Sequence, residues 1–425
     1  MADDPTRPSP APPTLFTRDF LLFLIGLGAA TLGIQIQATV VGYQLYEITR
    51  DPLSLGAIGL AEALPFVSLA LLGGHVADAV DRRRVVVAAF AVMSVAAAVL
   101  LAITWRRQVL SAGLLQLGIY AVIVLGGVCR AFLQPSRTAL SAQIVPRALY
   151  PRAIAWRSGV FQLCAIVGPA FGGLLYAWAG AGGAYVATII LLLAALLTML
   201  GVRVPPRATP PSRAPLLKSV AEGVRFLLAD RILLGAITLD LFAVLFGGAV
   251  ALLPVFAEDI LKVGPEGFGL LRAAPAAGAL VASGLLAVLP PLRRAGRALL
   301  LAVAGFGLTM IGFALSRSFA LSLLLLAASG GLDMVSILVR STLLQLRVPE
   351  HMLGRVSSVN QIFIGSSNEI GAFESGLAAR LLGTVRSVVL GGVITLAVVG
   401  VIAWRAPDLR RLGPLVPPEM DPSVP

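Results

Sequence analysis

Stretches of about 20 apolar residues recur along almost the whole chain, and they limit its fold more than any other feature. A helix rising about 1.5 Å per residue needs that many residues to cross the roughly 30 Å hydrocarbon core of a bilayer, where a helix satisfies its own backbone hydrogen bonds. Six such runs fall at 20–43, 53–77, 85–105, 110–133, 160–179 and 184–202. A Pro- and Arg-rich stretch follows. Six more runs then fall at 232–257, 268–289, 298–315, 319–339, 356–377 and 388–404. The pattern predicts an all-α membrane protein with twelve transmembrane helices in two six-helix bundles. The expected divisions are a disordered tail over 1–17, a first bundle over 18–202, a linker over 203–230, a second bundle over 231–405 and a final tail over 406–425.

Composition agrees: 58% of residues are hydrophobic and only 13% charged. The net charge of +12 invites comparison with nucleic-acid-binding proteins, so the placement of Lys and Arg decides its meaning. Assigning the loop 81–84 to the cytoplasm puts about 24 of the 33 Lys and Arg residues on that side, so the positive-inside rule places both termini there. Topology therefore explains the charge, and no nucleic-acid partner is expected. The opening residues 1–13 are Pro-rich and show no signal-peptide cleavage pattern. Cys129 and Cys164 both lie inside apolar runs, where they read as packing residues and form neither a disulfide framework nor a metal site. The segment 216–228 has an apolar face of Leu217, Val220, Val224 and Leu227. It reads either as a helix lying along the membrane surface or as an extension of the seventh span.

The halves are related. Shifting the chain by about 203 residues lays Gly127 on Gly330, Arg137 on Arg340, Val145-Pro146 on Val348-Pro349, Gly168 on Gly371 and Gly173 on Gly376. Two parallel six-span repeats around a central pathway form an architecture found among secondary transporters.

Between spans two and three the chain reads Gly74-His75-Val76-Ala77-Asp78-Ala79-Val80-Asp81-Arg82-Arg83-Arg84. This resembles the major facilitator superfamily's signature loop, Gly-x-Leu-Ala-Asp-Arg-x-Gly-Arg-Arg, with Val76, Ala79 and Asp81 departing from it. Span five carries Gly168-Pro169-Ala170-Phe171-Gly172-Gly173, similar to the end of that superfamily's antiporter signature, although Cys164 replaces the upstream glycine. The stretch 215–228 and Pro349-Glu350-His351-Met352-Leu353-Gly354-Arg355 look like the bacterial enterobactin-exporter and macrolide-efflux branch.

The resemblance implies several expectations. Gly74, Asp78, Asp81, Arg82 and Arg83 would form a conformational latch between the halves, with Gly74 allowing close helix approach. Gly168, Pro169, Gly172 and Gly173 would form a helix-packing motif. The protein would sit in the bacterial inner membrane as a monomer, without cofactor or metal. It would export a siderophore-like or amphiphilic drug-like small molecule by alternating access, coupled to protons.

Ionisable groups inside a membrane cost about 2.5–3.5 kcal/mol each, so each one needs a partner, a cavity or a role. Glu62, Arg130, Asp240, Arg272, Asp333, Glu369 and Glu374 all fall on spans that would line a central cavity. Proton coupling needs a buried carboxylate able to take and release a proton, and the candidates in order are Asp240, Glu62 and Glu369. Arg130 and Asp333 are equivalent under the repeat and are expected to interact across its axis. Gln35, Gln37, Gln162, Asn360, Gln361 and Asn368 would supply hydrogen bonds to a substrate, with Arg130, Arg272, Asp333 and Glu374 as charged candidates in the same cavity. Gln35 and Gln37 lie about 200° apart on a helix, so only one of them is expected to face inward.

The chain lacks a GxxxxGK[ST] phosphate loop, so direct ATP drive is not expected, and it has only two His residues and no hydrolase triad. Uptake of a small solute is the alternative within transport. A membrane sensor or scaffold that moves nothing is the alternative outside it.

Overall fold

The computed structural model describes residues 14–205, 216–247, 249–290 and 292–414. Residues 1–13 and 415–425 of the expected tails, and Arg207 and Arg213 of the linker, lie outside the described residues. Every regular element among the described residues is helical.

The first helices begin where a side chain can accept the unpaired amides of the opening turn. Helix α1 (Arg18–Thr49) starts at Thr17, whose hydroxyl accepts the Phe20 amide at 3.3 Å. Helix α2 (Pro52–Ala79) starts at Asp51, which accepts the Leu53 amide at 3.0 Å, with Pro52 in the first turn. Asp81 and Ser111 cap α3 (Arg82–Trp105) and α4 (Ala112–Ile144) in the same way.

Helix α5 (Tyr150–Gly201) belongs to a 55-residue helical segment, which is roughly 80 Å long at 1.5 Å per residue and too long for one crossing. Its break is Gly180, at φ 65° and ψ −176°, a conformation open to glycine because it lacks a Cβ. Before the break, Cys164 reaches Gly28 and Gly172 packs on Ile36, so this leg runs parallel to α1. Beyond it, Tyr185 donates to Gln44 and Thr198 packs on Gly26, so the chain has turned back. The fifth and sixth crossings are the two legs.

Helix α6 (Leu216–Ala229) is separate from α7 (Arg231–Gly247), with Asp230 between them accepting the Ile232 and Leu233 amides. It is thus not an extension of the seventh span, and Gly223 lies against Arg355 and Val359. The seventh crossing continues through a 3-10 turn (Ala249–Leu252), the short helix α8 (Leu253–Val255) and a π turn (Phe256–Ile260). Helices α9 (Gly264–Val288), α10 (Ala295–Leu315), α11 (Phe319–Arg347), α12 (Glu350–Leu382) and α13 (Thr384–Arg405) complete the second bundle, and α14 (Pro407–Arg410) follows.

Ten described segments are long and apolar enough to span a membrane. One of them is double, and α12 is absent from the ten although its 33 residues match α4 in length. Polar residues on α12, including Asn360, Asn368, Glu369 and Glu374, account for that. With twelve crossings, α1 begins and α13 ends on the same face, here called the terminal face.

At the opposite, far face the halves are clasped twice by glycine. Gly173 of α5 meets Gly269 of α9, where a Cβ would lie 2.9 Å from the Gly269 Cα. Its repeat equivalent, Gly376 of α12, meets Gly56 of α2, where a Cβ would lie 2.7 Å from the Gly56 Cα. Small residues let backbones close this tightly, and without water to drive helices together such packing is a main source of association.

Candidate functional site

A cavity of about 580 Å³ lies between the halves, lined by α1, α2, α3, α4, the first leg of α5, the seventh crossing, α9 and α12. Arg130 is its central charge. One guanidinium nitrogen, Nη1, donates to Glu62 Oε1 at 2.8 Å and to Glu369 Oε1 at 3.0 Å. Glu62 belongs to the same half as Arg130 and Glu369 to the other half, so one cation ties the two bundles together. The guanidinium also stands 4.7 Å from the Phe66 ring centroid, a cation–π distance. Backbone proximity brings these groups together: Gly127, one turn before Arg130, lies against the Pro65 side chain and the Glu62 carbonyl, and a Cβ on Gly59 would meet the Glu369 carbonyl at 2.6 Å.

Two more cations line the same cavity, Arg137 from α4 and Arg272 from α9. Among the described residues neither has a carboxylate within ion-pair distance, and the buried Arg137 Nε has no hydrogen-bond partner. The charged lining thus comprises three arginines against Glu62 and Glu369. A cavity with surplus positive charge favours an anionic or oxygen-rich guest.

A second cavity, of about 200 Å³, lies inside the second bundle. It holds Asp240 and Asp333. Asp240 is paired with Arg340 of α11.

A family model of the Major Facilitator Superfamily matches residues 20–372. The chain belongs to that superfamily. It is 27% identical over 404 residues to the enterobactin exporter EntS of Escherichia coli (strain SMS-3-5 / SECEC), covering 94% of this chain and 92% of that one. Identity to EntS of Shigella flexneri is 27% over 382 residues, covering 89% and 87%. Among solved structures, the superfamily fold recurs in a bacterial homologue of the lysosomal transporter Spinster, with a TM-score of 0.71, 16% identity and coverage of 93% and 98%. It recurs also in the nucleoside transporter NupG, with a TM-score of 0.69, 13% identity and coverage of 92% and 100%. The protein is a multi-pass membrane transporter of small molecules, and these relatives are transporters, not enzymes.

In this superfamily member several residues lie elsewhere than the sequence implied. Arg130 binds Glu62 and Glu369, not Asp333, which lines the cavity of the second bundle. Gln35 and Gln37 both line the central cavity, because it wraps around more of α1 than a single helical stripe. Asn368 lines both cavities. Gln162 donates instead to the Ala276 carbonyl of α9 at 2.7 Å, bridging the halves. Asn360, Gln361 and Glu374 line neither cavity.

Close approach in the signature loop is made at Gly73, which presses on the Ala131 carbonyl, whereas a Cβ on Gly74 would enter open space. Arg82 donates to the carbonyls of Ala77 and Ala139, each at 3.2 Å. Arg83 donates to the carbonyls of Met199 and Leu200, where a cation suits the negative end of the helix. Asp81 caps α3 by accepting the Arg83 amide at 2.9 Å. In span five, Gly168 and Gly172 face α1, while Gly173 faces the other half.

Sequence reading missed the ionic clasp at the far face. Tyr43 donates to Glu258 and Tyr46 to Asp259, and Arg50 pairs with both carboxylates, at 3.2 Å and 3.4 Å. Both acids sit on the π turn, a rare geometry that often marks functional segments and here turns them toward α1. Arg380 and Asp51 join the halves at 3.4 Å on the same face.

Proposed function

We propose that this transporter is a proton-coupled exporter of a siderophore-like or amphiphilic small molecule with acidic oxygen groups, acting as a monomer in the bacterial inner membrane with both termini in the cytoplasm. The observation that carries this reading is the bridge from Arg130 to Glu62 and Glu369 in a cavity where, among the described residues, Arg137 and Arg272 have no carboxylate within ion-pair distance. Similarity to proteins named as enterobactin exporters supports the direction and the substrate class. The surplus of Lys and Arg on one side supports the orientation.

Glu62 and Glu369 share one guanidinium, so a proton taken by either leaves the other fully paired. Protonating Glu369 removes the charge attraction between α4 and α12 while the Glu62 to Arg130 pair persists within its own half. The link between the bundles is thereby weakened, and the halves rock apart around the site. Substrate anionic groups bind Arg137 and Arg272, and their departure follows the change of access. Asp240, paired inside one bundle, becomes a fixed structural ion pair, and Glu369 replaces it as the first coupling candidate. Arg82 and Arg83 fasten the signature loop to its own bundle, which lets that bundle move as a unit.

The test is proton release from energised everted vesicles on addition of catecholate siderophores, macrolides and other amphiphiles. Wild-type protein should give a substrate-dependent signal, Glu369→Gln should lose it, and Asp240→Asn, once shown to be inserted, should keep it. Retention in Glu369→Gln with loss in Asp240→Asn would reverse the assignment. No signal with any compound would move the reading to uptake, another ion or a non-transporting role.

A further inference from the structure

The cavity inside the second bundle has a composition opposite to that of the central one. Its walls are mainly apolar, with Phe306 and Met310 from α10 and Leu326 and Leu332 from α11. At one end stand Asp333 and Ser336, three residues apart and so on one face of α11. Among the described residues Asp333 makes no hydrogen bond or ion pair, and Arg340, the nearby cation, is engaged by Asp240. Ser336 is only 3% exposed, yet its Oγ has no partner. A charged or polar group this deep requires compensation, and among the described residues neither has a direct hydrogen bond or ion pair, Arg340 acting on Asp333 only from a distance.

The repeat shows how unusual this is. Under the shift of about 203 residues, Asp333 corresponds to Arg130, Arg340 to Arg137 and Asp240 to Gln37. In the first half the equivalent residues line the central cavity, whereas in the second half Asp240 and Asp333 line a pocket of their own. Val250, Ala251, Asn368 and Ala372 line both cavities, so the pocket adjoins the central one.

We infer that this pocket is a second ligand site, which takes a lipophilic organic monocation with its charge against Asp333 and its apolar body along Phe306, Met310 and Leu326. One unpaired carboxylate beside a neutral Asp240–Arg340 pair calls for a single positive charge. A cavity of about 200 Å³ with apolar walls has room for an organic group and far exceeds what a bare metal ion needs. Phe306 adds a π face for the cation. The site is distinct from the basic subsite proposed for export and does not depend on it.

The probe is tetraphenylphosphonium, whose charge is independent of pH, measured by equilibrium dialysis against the purified full-length protein in detergent. Saturable binding of one cation per chain is expected, with affinity about tenfold or more weaker in Asp333→Asn and unchanged in Asp408→Asn, an exposed control on α14. The neutral triphenylphosphine oxide should bind wild type and Asp333→Asn alike. Ala302→Trp, which adds bulk at the pocket wall on α10, should also weaken binding of the cation. Thermal unfolding of each variant establishes that it is folded. Wild-type affinity in Asp333→Asn, or no saturable binding by folded wild type, would overturn the proposal. Since binding is read without flux, failure of proton-coupled export would leave this result intact, and the reverse also holds.

Discussion

The two halves of the transporter repeat the same helices but handle equivalent membrane charges in opposite ways. In the first half, Arg130 on α4 faces the central cavity and spends its guanidinium on carboxylates from both bundles, Glu62 and Glu369. In the second, the equivalent position on α11 is Asp333, and the nearby cation Arg340 is turned inward to Asp240. A cation shared between bundles can respond to their relative motion. One locked inside a bundle cannot, because its partner moves with it. Repetition of the backbone has therefore not meant repetition of chemistry: one set of charges lies at the moving interface and the other inside a moving part.

That contrast predicts effects of decreasing size. Arg130→Ala leaves Glu62 and Glu369 without their hydrogen-bonded cation, and flux in vesicles should fall about a hundredfold, the order expected when one partner of a buried ion cluster is removed. Arg130→Lys should recover only part of this, since an ammonium is a compact charge and not a planar fork. Full activity in Arg130→Ala would erase the distinction between the halves.

Asp240→Asn should act chiefly on stability, lowering it by about 3 kcal/mol in detergent unfolding, while the pH dependence of flux stays as in wild type. The double variant Asp240→Leu, Arg340→Met should regain most of the lost stability, because a buried pair replaced by apolar groups no longer leaves a lone charge. A shifted pH profile in Asp240→Asn would put coupling in the second half.

The smallest effect concerns the entry to α7, outside the membrane spans. Burial alone would raise the Asp230 carboxyl, but the Leu233 amide, the Arg347 guanidinium at 3.0 Å and the Ile232 amide together hold it below the ordinary carboxylate value. Asp230→Ala should cost about 1 kcal/mol, typical of a lost helix cap. Because the folded state holds this group's value down, its contribution is complete above the unfolded carboxylate value and disappears as pH falls through the folded one. The difference in unfolding between wild type and variant should accordingly shrink on acidification, and a constant difference would contradict the assignment.

Apolar runs of spanning length were readable directly, as was the repeat that lays Gly173 on Gly376, and both of those glycines proved to hold the halves together. Arg137 and Arg340 were matched by the same repeat, yet hydropathy ended their spans just before them. The structure continues α4 to Ile144 and α11 to Arg347, which brings both arginines into the bundles. Gln35 and Gln37 illustrate a different limit. Their 200° divergence is correct for a helix, but it cannot reveal how far a cavity wraps around that helix. Close approach was expected at Gly74 and occurs at Gly73, because the position of α4 decides which glycine meets it.

By itself the sequence determined what lies within the reach of local physics: the helical crossings, the glycines that permit tight approach, the charged loops and the short set of ionisable groups in the membrane. Tertiary structure alone decided the pairing. An ion pair depends on separations of a few ångströms between helices far apart in the chain, and helical periodicity fixes the direction of a side chain without fixing what stands opposite. Arg130 therefore found Glu62 and Glu369, 68 and 239 residues away, while Asp333, its counterpart in the repeat, was enclosed elsewhere.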